Sequence, residues 1–532
     1  MPRLRVSGTR ARSAPLRAWQ RQALERMAGW TDGTFLLSAA PGAGKTRPAL
    51  ELARSELAAG AVKSVVVACP TAPLTRQWAR AASGLGIELA PDCDSPRPPK
   101  GFHGVAVTYA RIAKAPRRWA RALPSSSLVI ADEAHHLGEE LAWGEGFVTA
   151  LGACSRWLLL SGTPFRSDAA AIPGVRYDAV GLAEPDHSYT YADAVRDRVC
   201  RPVSFVAYDG TLSWRSGDDV IESSFETVLS AREAGRRYRT AISTELPDGL
   251  PRILREADAK LAAVRAAGHG DAGGLVIAAD SAHARRIAAL LRECTGRAPL
   301  VVLHAEPRAA EKLVGFTRSR DPWIVAVNMV SEGVDIPRLR VGVYATAAKT
   351  PLVFRQIVGR FVRTLPGCPI EPSWLYVPAD PVLRDHASAI EQELRHVLAR
   401  PDAGDEFGLD EPERVVRTER SEEMAFVPLA ADVAPQMSLF GPPPGAAVTI
   451  AAGPAPAPAD TGDERPAFER RAMLRSERHR LVSEVTRRDR TDHREVNAWL
   501  NRRVGVSSVE SATLEQLERS VELLVGRLTR RR

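Results

Sequence analysis

Short, almost uninterrupted runs of branched apolar residues recur along the chain and alternate with segments of helical periodicity. In the first third these runs lie at residues 65–68, 105–107, 128–130 and 157–160. A second alternation spans residues 188–399, with runs at 274–278, 300–303, 323–327 and 341–345. Runs of this kind are typical of strands buried on both faces of a parallel sheet. The pattern therefore predicts an α/β fold with two parallel-sheet domains in tandem.

The character of the sequence changes after residue 400. An acidic piece is followed by a stretch rich in proline, alanine and glycine, and such sequence cannot bury enough apolar surface to order itself. We therefore expect residues 401–466 to be a disordered linker. Helical pattern then returns with many arginines, and Asp492 with Glu495 and Thr513 with Gln516 form two candidate helix caps. The last segment is expected to be a small helical module with an aromatic anchor at Trp499.

These patterns define the expected organisation of the chain. It comprises a basic flexible arm at 1–13, a first domain at 14–182, a second domain at 183–400 with a polar insertion at about 211–247, the disordered linker at 401–466, and the helical module at 467–532.

Composition narrows the class of protein. The net charge of the 532-residue chain is +8, which suits a polyanionic partner such as nucleic acid. The six cysteines are scattered without CxxC spacing, so we expect no zinc site and a reducing compartment. No apolar run approaches the roughly 20 residues of a membrane span, and the N-terminus lacks a secretory signal. We expect a cytoplasmic, nucleoid-associated protein with no membrane partner.

A candidate phosphate-binding loop follows the buried run at 34–37 and precedes a helical segment. Its glycines let successive backbone N–H groups point at phosphate oxygens, and the following helix adds a favourable dipole. Lys45 would reach the β- and γ-phosphates of a nucleotide, and the Thr46 hydroxyl would bind Mg²⁺. The loop residues expected to bind the nucleotide are Pro41, Gly42, Ala43, Gly44, Lys45 and Thr46. ATP and Mg²⁺ are therefore the expected cofactors.

Two adjacent carboxylates, Asp132 and Glu133, follow the buried run at 128–130. Carboxylates at the end of a buried strand are costly unless they coordinate something. Asp132 would hold Mg²⁺, and Glu133 would orient and deprotonate the attacking water. His135 would hydrogen-bond toward the γ-phosphate and report its presence to the rest of the protein.

With these motifs in order, the chain resembles a superfamily 2 helicase or translocase of the DEAH-box type, over residues 16–399. The resemblance implies two tandem RecA-like domains. It implies that Arg17 and Gln20 read the adenine, that Gly333 and Asp335 of motif V lie at the nucleotide, and that motif III is Ser161-Gly162-Thr163-Pro164. The residues it places on the nucleic-acid backbone, in motifs Ia and Ib, are Pro70, Thr71, Arg76, Gln77, Thr108 and Tyr109.

Motif VI of the resemblance contains Gln356, Arg360 and Arg363. Arg360 and Arg363 are three residues apart and are expected to share one helix face. An arginine supplied by the second domain would stabilise the transition state only when the cleft between the domains closes, so that hydrolysis drives stepping. Motif III has Gly162 where alanine is commoner, which leaves the coupling of hydrolysis to strand separation open.

Three further features carry weaker signals. Gln436, Leu439 and Phe440 resemble the peptide that binds the bacterial sliding clamp, or are a small patch that folds back on the helicase body. Asp248, Asp258 and Lys260 mimic the spacing of a PD-(D/E)xK nuclease, but residues 252–267 have the pattern of an amphipathic helix rather than a strand. The arginines of the helical module either track phosphates or form a salt-bridged solvated face.

The sequence thus predicts an ATP-dependent DNA helicase or translocase that acts in DNA repair or replication. Four alternatives stay open: an RNA helicase, a translocase subunit of a restriction or phage-defence system, an ATP switch that closes on nucleic acid without unwinding it, and a recruitment factor tethered to the clamp. The preference for DNA rests on the clamp-like peptide and on the likeness to DNA-acting members.

Overall fold

The computed structural model describes residues 15–139, 141–162, 171–178, 183–216, 218–303, 306, 309–327, 336–364, 371–399, 426–435, 465–489 and 491–529. The chain divides into two compact units. The first contains Met1–Ala39, Gly44–Ser188 and Ala457–Arg532, and the second contains Ala40–Ala43 and Tyr189–Pro456. The C-terminal helical module thus groups with the first parallel-sheet domain.

The first unit is built on a seven-stranded sheet with the order β3-β4-β2-β5-β6-β1-β7. Its strands are β1 (Gly33–Ala39), β2 (Ser64–Cys69), β3 (Leu89–Pro91), β4 (Gly104–Thr108), β5 (Ser127–Asp132), β6 (Arg156–Ser161) and β7 (His187–Tyr189). The pairings from β3 through β1 are all parallel. All residues of β2 and β5 are buried, as their unbroken apolar runs predict.

Helices cover the faces of this sheet. They are α1 (Ala18–Ala28), α2 (Thr46–Ala59), α3 (Ala72–Ser83), α4 (Tyr109–Lys114), α5 (Pro116–Ala122), α6 (His136–Glu139) and α7 (Leu141–Leu151). In α3, Leu74, Trp78 and Ala82 recur every four residues and are buried, whereas Arg76 and Gln77 face outward. One face of α3 is therefore core and the other is free to meet a partner.

The second unit has an eight-stranded sheet with the order β11-β12-β10-β13-β14-β8-β15, and β9 pairs with β8 outside this path. Its strands are β8 (Val203–Ser216), β9 (Asp219–Ser223), β10 (Gly273–Ala278), β11 (Leu300–Val302), β12 (Trp323–Val327), β13 (Leu339–Ala345), β14 (Ser373–Pro378) and β15 (Phe426–Pro435). Its helices are α8 (Tyr191–Arg196), α9 (Ala231–Ala241), α10 (Leu250–Ala266), α11 (Ser281–Thr295), α12 (Ala309–Arg318), α13 (Pro351–Phe361) and α14 (Pro381–Ala399). The fold class expected from the sequence, tandem RecA-like parallel-sheet domains, is confirmed.

The expectation of disorder throughout 401–466 is wrong for Phe426–Pro435. This segment forms β15, which pairs antiparallel with β8 along the sheet edge. Val433 and Ala431 are buried against the unit, while Asp432 between them is exposed. The alternation that identifies a half-buried strand is present, but it is short and lies in a proline-rich setting. The polar insertion predicted at about 211–247 begins inside this sheet. Its first residues form the end of β8, which continues to Ser216, and β9 (Asp219–Ser223) follows.

The helical module consists of α15 (Ala467–Asp489), α16 (His493–Val504) and α17 (Leu514–Thr529). Its small core contains Leu481, Val485, Val496, Leu500 and Leu524, with Val482 beside them. Thr513 and Gln516 form the expected reciprocal cap before α17, with hydrogen bonds of 2.9 and 3.2 Å. Asp492 is the N-cap of α16, and its carboxylate accepts from the Arg494 N–H at 3.4 Å.

The module is anchored to the first unit at the start of α15. Arg80 of α3 forms an ion pair with Glu469 at 2.6 Å, and the Glu88 carboxylate accepts a hydrogen bond from the Ala467 backbone. The Arg471 guanidinium lies 5.4 Å from the centre of the Phe102 ring. In the part of the chain that the structure describes, no helix has both the length and the apolarity needed to cross a membrane.

Candidate nucleotide and nucleic-acid site

The phosphate-binding loop connects β1 to α2 and contains two residues in the left-handed backbone region. Gly42 has a φ of +82° and Gly44 a φ of +92°, which L side chains rarely adopt. The Ala43 N–H donates to the Ala40 carbonyl at 3.0 Å, which closes the turn. Lys45 then occupies the N-cap position of α2, and Thr46 is its first residue. The loop residues thus have the backbone expected of a phosphate cradle at a helix N-terminus.

The two carboxylates lie where β5 ends. Asp132 is its last residue and is buried, and Glu133 follows with a strained φ of 52°. The turn aims Glu133 back at the phosphate loop, where its Oε1 lies 2.8 Å from Lys45 Nζ. A buried carboxylate beside a helix N-terminus that carries a threonine hydroxyl is a suitable oxygen donor set for Mg²⁺. Asp132 and Thr46 are therefore the residues that would hold the metal.

Burial and charge set opposite pKa shifts on the two carboxylates. Burial and the neighbouring Glu133 raise the pKa of Asp132. Burial also acts to raise the pKa of Glu133, but Lys45 and His135 outweigh it and hold that pKa below its usual value. Glu133 is therefore anionic at neutral pH and has the charge of a group that orients and accepts a proton from water.

His135 connects motif II to motif III. Its Nδ1 lies 3.1 Å from the Ser161 hydroxyl, and both side chains are buried. The same nitrogen is 3.6 Å from Glu133 Oε2. The expectation that His135 relays the state of the nucleotide thus has a contact to act through, namely Ser161 at the end of β6. Thr163 and Pro164 lie outside the described residues.

Gln20 and Arg17 lie beside the phosphate loop. The Gln20 amide donates to the Gly44 carbonyl at 3.1 Å and accepts a hydrogen bond from the Arg17 backbone at 2.9 Å. A Cβ added at Gly44 would lie 3.2 Å from the Gln20 side-chain nitrogen. Gln20 is buried although it is polar, which is the arrangement of a residue that positions the loop and its ligand.

The expected nucleic-acid contacts separate into exposed and buried groups. Arg76 and Gln77 are exposed on α3, whereas the Thr71 hydroxyl at its N-cap is buried and has no hydrogen-bond partner among the described residues. Pro70 is buried, and the Thr108 hydroxyl accepts from the Arg111 N–H as the cap of α4. These two positions therefore shape the backbone.

The prediction for Tyr109 is wrong. Its ring is 1% exposed in the core of the first unit, and its hydroxyl donates to the Asp132 carbonyl at 2.7 Å. A second buried aromatic, Trp78 of α3, donates from its indole nitrogen to Asp132 Oδ2 at 2.8 Å. The sequence does not indicate this role for Trp78, because only the packing of α3 on the sheet brings its indole to β5.

Motif VI lies in the second unit at the end of α13, which contains Gln356 and Arg360. The prediction that Arg363 shares a helix face with Arg360 is wrong, because α13 ends at Phe361. The backbone then pairs with the segment before β8: Val362 accepts from the Arg201 N–H at 2.8 Å, and Arg363 forms an antiparallel bridge with Cys200.

Several other predictions are resolved or lie outside the structure. Asp258 and Lys260, the residues with nuclease-like spacing, both lie on α10 and have structural contacts. Asp258 accepts from Trp323 Nε1 at 2.8 Å, and Lys260 Nζ lies 3.9 Å from the centre of the Trp374 ring. Among the described residues no group of three or more His, Cys, Asp or Glu side chains is placed to hold a metal ion. Of the predicted site residues, those that lie outside the described part of the chain are Gly333, Asp335, Gln436, Leu439 and Phe440.

Comparison with known proteins agrees with this geometry. Residues 13–166 match the family model for the res subunit of type III restriction enzymes. The chain is 42% identical over 439 residues to the "Uncharacterized protein Rv2917" of Mycobacterium tuberculosis, covering 80% of this chain and 72% of that one. The chain belongs to the same family as Rv2917. Another relative, the "Uncharacterized protein ML1624" of Mycobacterium leprae, is 40% identical over 443 residues, with 80% and 73% covered.

Among solved structures, the chain is similar to a fragment of a putative HsdR subunit of a type I restriction enzyme from Vibrio vulnificus. That likeness has a TM-score of 0.48 and 16% identity, and it covers 70% of this chain and 65% of the other. The matched family model covers motifs I and II together with all four residues of motif III. The chain therefore contains the ATP-binding domain of a superfamily 2 helicase-type ATPase.

Proposed function

We propose that the protein is a Mg²⁺-dependent ATPase of the DEAH-box type that moves along DNA. The observation that carries this is the arrangement around Lys45: the phosphate-loop lysine contacts the Glu133 carboxylate, and Asp132 beside it is buried where β5 ends. A bound γ-phosphate would draw Lys45 away from Glu133 and leave that carboxylate to orient water. Mg²⁺ supplies charge neutralisation of the phosphates when it is bound.

The remaining roles follow the family resemblance. We assign adenine recognition to Arg17 and Gln20, and backbone contact with nucleic acid to Thr71, Arg76 and Gln77. Gln356, Arg360, Arg363, Gly333 and Asp335 are assigned to the γ-phosphate and to the relay of its state. The segment that contains Gln436, Leu439 and Phe440 is assigned to the sliding clamp, which would bring the motor to sites of DNA repair or replication.

A restriction or phage-defence translocase is the second candidate, and the match of residues 13–166 to a restriction-enzyme subunit favours it. Both candidates use the same ATP-driven translocation along DNA, and they differ in the cellular process in which it takes part. The nuclease-like pair Asp258 and Lys260 does not support cleavage by this chain, because both side chains are engaged with tryptophans.

Steady-state ATPase rates test the motor directly. The rate is measured without nucleic acid and with single-stranded DNA, duplex DNA, forked DNA or RNA, and Lys45→Ala serves as the blank. We expect strong stimulation by one form of DNA. Stimulation by RNA alone would reject the DNA assignment, and a rate indifferent to every form would favour an ATP switch or a recruitment factor.

Two further assays separate the remaining candidates. Displacement of a third strand from a duplex reports translocation without unwinding, and release of a strand from a fork reports unwinding. Replacement of Leu439 and Phe440 by alanine should abolish capture by purified sliding clamp and leave the ATPase rate unchanged. Equal capture of the variant would remove the clamp from the proposal.

A further inference from the structure

Two buried aromatic side chains donate hydrogen bonds to the same residue, Asp132. Trp78 Nε1 lies 2.8 Å from Asp132 Oδ2, and Tyr109 Oη lies 2.7 Å from the Asp132 carbonyl oxygen. Trp78 and Tyr109 are each 1% exposed, and Asp132 is 6% exposed. The Trp78 donor acts on the carboxylate itself, so it sets where the carboxylate points, whereas the Tyr109 donor acts on the neutral backbone carbonyl and holds the backbone that carries it.

The two donors come from two different helices of the first unit, of which α3 carries the residues assigned to nucleic acid. Trp78 lies two turns into α3, whose N-cap is Thr71, and Tyr109 is the first residue of α4. A helix of this length moves as a rigid rod, so a shift at the N-terminus of α3 displaces the Trp78 indole. The aspartate proposed to hold Mg²⁺ therefore contacts both helices directly.

A second residue joins the same two helices near the surface. Asp92 follows β3 with a left-handed φ of 58° and accepts from the Thr75 hydroxyl at 2.9 Å. Its other carboxylate oxygen lies 3.2 Å from the nitrogen Nε of Arg76, and its carbonyl accepts from Arg111 of α4. Asp92 thus ties α3 to α4 on the side where Arg76 is exposed, and Asp132 ties them in the core.

The carboxylate of Asp132 keeps capacity for a metal. Oδ2 accepts from Trp78 and Oδ1 accepts from the Glu133 N–H at 3.1 Å, and each oxygen has a second lone pair. The indole therefore orients the carboxylate without blocking it. Its hydrogen bond is broken or lengthened whenever α3 shifts relative to β5.

We propose that Trp78 is a positioning residue that couples nucleic-acid binding on α3 to the orientation of Asp132 toward Mg²⁺, with Tyr109 supporting the Asp132 backbone from α4. The inference rests on the proposed function. Nucleic acid held at Thr71 and Arg76 fixes α3, the indole fixes the carboxylate, and the metal–nucleotide complex is bound in its productive position. Binding of either ligand then favours binding of the other, because linkage is reciprocal.

Trp78→Phe tests this by removing the donor while keeping an aromatic ring in the core. Trp119→Phe is the matched control, since Trp119 is also a fully buried tryptophan of the first unit, lies on α5 and belongs to the core cluster that contains Tyr109. Tyr109→Phe is the second variant, which removes a single hydroxyl and is the milder test if Trp78→Phe folds poorly. All variants are checked for a native circular dichroism spectrum and melting temperature before use.

The first readout is equilibrium binding, without turnover. The affinity for a fluorescent DNA oligonucleotide, of the form that best stimulates the ATPase, is measured with and without Mg²⁺ and a non-hydrolysable ATP analogue. We expect the analogue to tighten DNA binding by wild type and by Trp119→Phe at least about fivefold, a typical coupling factor. In Trp78→Phe this factor should fall to within twofold of one, with DNA affinity in the absence of nucleotide unchanged. Tyr109→Phe should lose part of it.

The second readout is the Mg²⁺ concentration that gives half-maximal nucleotide binding. It should rise severalfold in Trp78→Phe and stay at the wild-type value in Trp119→Phe. Wild-type coupling that survives in both Trp78→Phe and Tyr109→Phe would overturn the inference and leave the motor intact. A wild-type protein whose ATPase ignores nucleic acid would instead reject the proposed function, on which the inference rests.

Discussion

The Lys45 ammonium lies 2.8 Å from the Glu133 carboxylate, with the two side chains 12% and 31% exposed. In this arrangement the lysine expected to bind phosphate neutralises the carboxylate expected to activate water. The pair is partly exposed, so its contribution to stability is modest, up to about 1 kcal/mol. A nucleotide phosphate can therefore replace Glu133 as the partner of Lys45 at small cost, which frees the base only when substrate is present.

Glu133→Gln should separate nucleotide binding from hydrolysis. The variant lacks the base and the competing anion, so we expect kcat to fall by at least about 100-fold while ATP binds as tightly as in wild type or up to about fivefold tighter. Glu51→Gln is the control, because Glu51 also pairs with arginines of α2 but lies away from the loop. Single-turnover hydrolysis and fluorescent-nucleotide titration measure the two quantities. Weakened ATP binding in Glu133→Gln would contradict the competition between Glu133 and phosphate.

Gln20 should contribute to nucleotide affinity through its contact with the loop. Gln20→Ala removes the hydrogen bond to the Gly44 carbonyl and the amide proposed to recognise adenine, and one such bond corresponds to about 1 kcal/mol. We expect KM for ATP to rise about five- to tenfold and the preference for ATP over GTP to shrink. Gln22→Ala, an exposed position of the same helix, should leave both unchanged. Equal KM values for the two variants would argue against adenine recognition at Gln20.

The parts of the fold that were predictable are those fixed by local pattern. The unbroken apolar runs of β2 and β5 identify buried parallel strands without tertiary information, and the loop from Ala39 to Thr46 identifies itself by its glycines and its lysine. The strand β15 was missed because Pro428, Pro435 and a short alternation resemble the surrounding linker. Its order comes from pairing with β8, which lies 212 residues away in sequence at the pair Val427 and Arg215 (427 − 215).

The sequence predicts those site residues whose type is specific to one chemistry. It does not predict those whose position depends on how the helices pack on the sheet. Tyr109 follows a strand in a motif position, and its sequence is equally compatible with a surface contact or with burial against α7. Trp78 has the helical spacing of an ordinary core residue. Neither sequence position indicates that both side chains end at Asp132, because that depends on how α3 and α4 lie across the sheet.

Arg76 should contribute one phosphate contact to nucleic-acid binding. Its side chain is 57% exposed beside Asp92, on the outward face of α3. We expect Arg76→Ala to weaken binding to all sequences alike and to reduce the slope of log Kd against log salt concentration by about 1. Arg54→Ala, 52% exposed on α2, is the matched control and should keep the wild-type slope. Fluorescence anisotropy measures Kd at salt concentrations from roughly 50 to 300 mM, and the slope follows from these Kd values. An unchanged slope for Arg76→Ala would remove Arg76 from the interface.

The packing of the helical module, and its contact with Phe102, should depend on Arg471 far more than on its neighbour Arg470. Arg471 is 5% exposed, and its guanidinium donates to the carbonyls of Glu510 and Ala512 at 3.1 and 2.8 Å while lying over Phe102. Arg470 is half exposed and forms an ion pair with Glu518. Removal of a buried group with several partners costs about 2–3 kcal/mol, whereas an exposed pair contributes about 0.5 kcal/mol.

Hydrogen exchange measured by mass spectrometry can follow this difference within the full chain. We expect amides of α15 and α17 to exchange about 30-fold faster in Arg471→Ala and within about twofold of wild type in Arg470→Ala, because 1.4 kcal/mol of local stability corresponds to a factor of ten. If the module also carries part of the nucleic-acid surface, Arg471→Ala will weaken DNA binding in parallel. Faster exchange with unchanged DNA affinity would indicate that the arginines of the module form a salt-bridged, solvated face. Their alternation with glutamates is compatible with that alternative.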